Sequence, residues 1–60
     1  MWIVTEKSGL INADHVYRFT ENNCGTHAYC HGAVYMVSSD HVMATIIEAL
    51  KNRADFVEVK

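Results

Sequence analysis

The run from Thr26 to Val37, THAYCHGAVYMV, constrains the fold more than any other stretch of the chain. It is the longest series of strand-favouring residues, and it predicts one long central β-strand. Alternation along such a strand makes two unlike faces. Ala28, Cys30, Gly32, Val34 and Met36 form a small apolar face suited to close helix packing. His27, Tyr29, His31, Tyr35 and Val37 form an aromatic and imidazole face, with Ala33 as its one small member.

The same run overlaps a cluster of Cys24, His27, Cys30 and His31. Two thiols and two imidazoles are the right donors for zinc. Their spacing, C-x2-H-x2-C-H, is not that of a paired C-x2-C knuckle, and no second Cys or His pair follows at the usual distance. On a strand His27 and His31 point the same way but lie about 13 Å apart, at roughly 3.3 Å per residue. Zinc bonds of about 2.0–2.3 Å cannot span that gap. Cys30 points to the opposite face. The spacing therefore favours a strand with no metal, and a zinc-stabilised module is the alternative.

Around this run the chain divides by alternation and turn chemistry. Met1 to Thr5 reads as a first strand, closed by the turn signal Lys7-Ser8-Gly9. Leu10 and Ile11 are apolar, and Asn12-Ala13-Asp14 marks a tight turn or bulge. His15 to Glu21 alternates, with Tyr17 and Phe19 on one face and Arg18 on the other. Asn22-Asn23-Cys24-Gly25 is the loop of a hairpin that leads into the central strand. Ser38-Ser39-Asp40 supplies a hydroxyl N-cap and an early carboxylate. Val42 or Met43, Ile46, Ile47, Leu50 and Ala54 then recur at helical spacing, which predicts a helix over about Ser39 to Arg53. Phe56 to Val59 alternates as a last strand.

These elements, in the order β-β-β-α-β, predict one α+β domain over residues 1–60. It is a small antiparallel sheet of three to four strands with one amphipathic helix on one face. One helix cannot cover two sheet faces. Tyr17, Phe19, Tyr29, His31 and Tyr35 would share the uncovered one, and tyrosine is enriched at interfaces. These five residues are the expected interface, and a partner protein or a second copy of the chain is its expected cover.

Bulk properties narrow the partners. The 60 residues carry five Lys and Arg against seven Asp and Glu, a formal charge of −2. With no basic stripe to neutralise phosphates, nucleic-acid binding is disfavoured. No apolar run approaches the ~20 residues of a membrane-spanning helix. The first residues lack the cationic and apolar regions of a signal peptide. Cytoplasmic thiols are the expectation for the two cysteines. Neither Cys24 with His27 nor Cys30 with His31 has an orienting third group, so a catalytic site is not expected.

The segment Ile3-Val4-Thr5, a short turn, then Gly9-Leu10-Ile11-Asn12-Ala13-Asp14-His15-Val16 resembles a pattern in small proteins of bacteriophages and mobile elements of Gram-positive bacteria. The likeness covers the N-terminal third and the general order of elements. It implies a phage-encoded protein in the host cytoplasm that binds and inhibits or modulates a host protein, including anti-phage defence components. The Cys/His cluster and the last strand depart from the pattern, and no functional residue carries over. The expected function is thus a non-enzymatic, homodimeric protein-binding module without a cofactor.

Overall fold

The computed structural model describes residues 1–60 and is α+β, with two small sheets and one helix. Strands β1 (Trp2–Thr5), β2 (Gly9–Asn12) and β6 (Phe56–Glu58) form one sheet in the order β2-β1-β6. Strands β3 (Val16–Asn22), β4 (Gly25–Cys30) and β5 (Ala33–Ser38) form a meander in sequence order. A 3-10 turn over Ala13–His15 links the two sheets, and helix α1 (Met43–Lys51) joins β5 to β6.

The expected antiparallel pairings hold for β1 with β2 and throughout the meander. The pairing of β1 with β6 is parallel, matching Trp2 with Phe56 and Val4 with Glu58. Parallel strands need a long crossover, and here almost the whole chain lies between the two.

The predicted strand over residues 26–37 is two strands. The chain reverses at His31-Gly32, where Gly32 adopts φ 84°. Glycine enters that region without the Cβ clash other residues suffer. What reads as a small residue in a strand is the turn of a hairpin. The reversal also redistributes the expected small face. Ala28 is buried in the core, Cys30 is half buried, Gly32 lies in the turn and Val34 is exposed.

The helix begins at Met43 rather than Ser39, and no side chain of its own first turn caps it. Ser38 is otherwise engaged: its hydroxyl accepts from the Asp40 amide at 3.0 Å and donates to the Lys60 carbonyl. Strand residues cap α1 instead. The Val42 amide donates to Thr26 Oγ1 at 3.1 Å, and the Met43 amide donates to Glu21 Oε2 at 3.0 Å. These bonds satisfy helix-end donors that have no partner within the helix. At the other end Arg53 adopts φ 53°, with Arg53 N–H donating to the Leu50 carbonyl and Ala54 N–H to the Ala49 carbonyl. That pair of bonds is a Schellman stop with arginine where glycine is usual.

One core lies between the sheets and the helix: Ile3, Ile11, Ala28, Val37, Ile46 and Val59. Phe19, Val16 and Val42 pack against its margin. Ile3 and Ile11 are direct cross-strand partners, so one face of the first sheet looks inward. Its other face carries Trp2, Val4, Leu10 and Phe56, and no element covers it fully: Trp2 is 47%, Leu10 65% and Phe56 68% exposed.

Candidate binding groove

The five expected interface residues do not share a face. Phe19 is paired with buried Ala28 and packs against the core. Tyr29 lies on the opposite face, opposite Arg18, whose guanidinium sits 5.7 Å from the ring centroid. A register shift between Val16 and Arg18 makes Tyr17 a bulged residue and takes it out of simple alternation. Tyr17 thereby meets His31, with ring centroids 5.1 Å apart. Tyr17, His31 and Tyr35 are brought together; Phe19 and Tyr29 are not.

What gathers the three is an open groove of ≈ 850 Å³. Its first wall is β2 with Ser8 and Trp2. The opposite wall is the open end of the meander, with Val16, Tyr17, Cys30, His31 and Tyr35. Asp14 and His15 of the linking turn also line it. The lining contains no Lys or Arg, and Asp14 Oδ1 lies 3.8 Å from the N-terminal ammonium. The volume falls in the range of about 300–1,000 Å³ common to ligand sites, although this cleft is open.

Both Leu10 and Ile11 line the groove, although neighbouring strand residues point to opposite faces. The groove therefore runs along the edge of β2 rather than over one of its faces. That edge is unpaired, because β2 is the outermost strand of its sheet. The bond from Ala13 N–H to the Met1 carbonyl fixes which groups face it. Met1, Ile3 and Thr5 are then bonded toward β2, and the alternation of an antiparallel ladder leaves the amide and carbonyl of Leu10, and the amide of Asn12, pointing away from β1. The opposite side of β1 agrees: Trp2 N–H and the Val4 carbonyl bond toward the β6 segment.

No family model, curated protein or solved structure matches this chain. Its site is accordingly defined by its own geometry.

The proposed zinc donors are dispersed. Cys24 is exposed in the β3–β4 turn, His27 is half buried on β4, Cys30 faces the groove and His31 sits in the β4–β5 turn. Nowhere do three or more His, Cys, Asp or Glu side chains come close enough to hold one metal ion. His27 Nδ1 and its cross-strand neighbour Thr20 Oγ1 are buried without a protein hydrogen-bond partner.

Sequence reasoning missed Trp2, Leu10 and Phe56. A signal for them existed: Met1 to Val4 is apolar on both alternating faces, and a strand of that kind has two faces to cover. The assignment of one helix to one sheet hid it.

Proposed function

We propose that this chain is a non-enzymatic protein-binding module, and that its working surface is the groove together with the adjoining outer face of the β2-β1-β6 sheet. One observation carries the reading. Trp2, Leu10, Tyr17, Tyr35 and Phe56 are 42–68% exposed, and they adjoin one another through the groove and the Trp2–Phe56 pairing. Aromatic side chains offer about 150–250 Å² each, so five residues half exposed present on the order of 500 Å² of apolar surface. That is close to the apolar part of one side of a standard interface, which buries about 800 Å² per partner. It also falls within the about 300–600 Å² of the largest patch on a typical monomer, a patch that is often functional.

Such a module acts by occupying its partner. Inhibition or modulation of a host protein in the cytoplasm is the setting that the N-terminal resemblance suggests. A photo-crosslinking residue at position 10 should trap a discrete partner, whereas the same residue at position 18, on the opposite face of the meander, should not. Equal labelling from both positions would defeat the assignment.

Self-association is the second reading. Trp2 and Phe56 are exposed neighbours on the outer sheet face, and two such faces pack against each other about 10 Å apart. Sedimentation equilibrium at micromolar concentration tests this: a dimer that becomes monomeric in Phe56→Ser supports it, and a monomeric wild-type chain rejects it.

A further inference from the structure

We propose that the groove takes an extended, uncharged peptide segment of the partner protein, which joins the β2-β1-β6 sheet as a fourth strand along the free edge of β2. This rests on the reading of the chain as a protein-binding module and states how the partner is held.

Two independent features coincide. The Leu10 amide and carbonyl and the Asn12 amide point outward from an unpaired strand edge. A concave groove with aromatic side chains on its far wall lies along that edge. Backbone groups at a sheet edge supply strand pairing, and pockets beside it select alternate side chains. β2 has four residues, enough to pair with an extended segment about 13 Å long. Tyr17 and Tyr35 would meet the segment's side chains from across the groove.

The other edges are less suited. β3 carries Arg18 and Glu21 and is bulged at Tyr17. β5 is bulged near Val37, and its Met36 carbonyl already accepts from Ser8 Oγ at 2.8 Å. β6 has only three residues, one of them Glu58. Charges and bulges are the devices that protect sheet edges from pairing. β2, reading Gly-Leu-Ile-Asn, has neither.

The shape of the site favours an inserted segment over a second copy. A concave groove is not complementary to itself, and a two-fold contact would set two hollows face to face. The lining has no Lys or Arg, and its carboxylate and imidazole side chains are Asp14, His15 and His31, so it presents no cluster of like charge to recruit a charged segment.

The test uses the whole chain and a capped, uncharged pentapeptide of alternating threonine and valine. Backbone NMR of the labelled chain should show the Leu10 and Asn12 amides shifting and gaining exchange protection as peptide is added. A peptide with proline at its centre should not produce this. The second arm replaces the Leu10 amide by an ester in chemically synthesised protein, which deletes one outward donor and no ladder bond. Peptide affinity should fall tenfold or more, with the thermal midpoint within a few degrees of the parent. The same ester at Val34, on the β5 edge, should leave affinity unchanged.

Three results overturn the proposal: no shift at millimolar peptide, a Leu10 ester that binds as the parent does, or Leu10 protection that rises with protein concentration alone, which is pairing with a second copy. A partner still trapped by the crosslinker at position 10 while the Leu10 ester is indifferent would reject strand addition and leave the binding module standing.

Discussion

Gly25 shows how little freedom a single position has in this fold. It has φ 109°, and a Cβ there would meet the Ser38 carbonyl oxygen at 2.2 Å and Ser39 backbone at 2.8 Å. Backbone cannot swing aside as a side chain can. Gly25→Ala should therefore destabilise by about 3 kcal/mol or more, the sum of left-handed strain and displaced backbone. Gly9, at φ 66° with nothing within 4 Å of its Cβ position, isolates the strain alone. Gly9→Ala should cost only about 1 kcal/mol. Urea unfolding of both variants checks the difference, and equal losses would refute it. Thr20 is the converse case, a buried hydroxyl with no partner. Thr20→Val keeps the branched shape and removes an unsatisfied group, and should raise stability by up to about 1 kcal/mol. Of these residues, the turn roles of Gly9 and Gly25 were legible in the sequence. The approach of Ser38 to Gly25 is a tertiary fact with no local mark.

At the level of elements, the helix and the β3–β4 hairpin were legible because each rests on local chemistry. Of the expected stripe Ile46 is buried, but Ala49 fills the second buried place while Ile47 and Leu50 stay exposed; Asn23-Cys24 turns between alternating strands. The helix boundaries were less so. Its start is set by Glu21 and Thr26, which lie on other elements. Glu21→Ala should cost about 1 kcal/mol through loss of an acceptor at the helix N-terminus. Amide exchange should quicken first at Met43, and unchanged exchange there would show that Glu21 does not hold this end. Its stop is set by Arg53 in the left-handed region. Arg53→Gly should stabilise by about 0.5–1 kcal/mol, seen as a higher denaturant midpoint. The split of residues 26–37 was illegible for a different reason. Gly32 carries no Asn or Asp beside it to mark a turn, so strand propensity on both sides masked the reversal. Once that strand folds back, and Tyr17 bulges, the imagined aromatic face separates into a groove wall, a core margin and a surface beside Arg18.

For the whole molecule, the α+β class followed from one helical stripe among alternating segments. The number of sheets did not follow, because pairing β1 with β6 depends on contacts between the two ends of the described chain. With so few fully buried side chains, stability depends heavily on each. Ile46 is wholly buried at the junction of helix and sheets. Ile46→Ala should cost about 2–5 kcal/mol, enough to unfold a domain of this size at 37 °C by circular dichroism.

The β1–β6 pairing also sets an order of events. Residues 16–38 pair only with near neighbours, through two tight hairpins. Residue 2, by contrast, waits for residue 56. Contacts so distant along the chain form late, since their loop closure is costly. The meander should fold first and the parallel strand should dock last. In kinetic experiments Val57→Ala would then speed unfolding and leave the folding rate nearly unchanged, while Ala28→Gly would slow folding. During synthesis on the ribosome, Trp2, Ile3 and Val4 would emerge well before Phe56 to Glu58 and lack their β6 partner until those residues have been made. For that interval the nascent chain offers an uncovered apolar strand to any chaperone within reach.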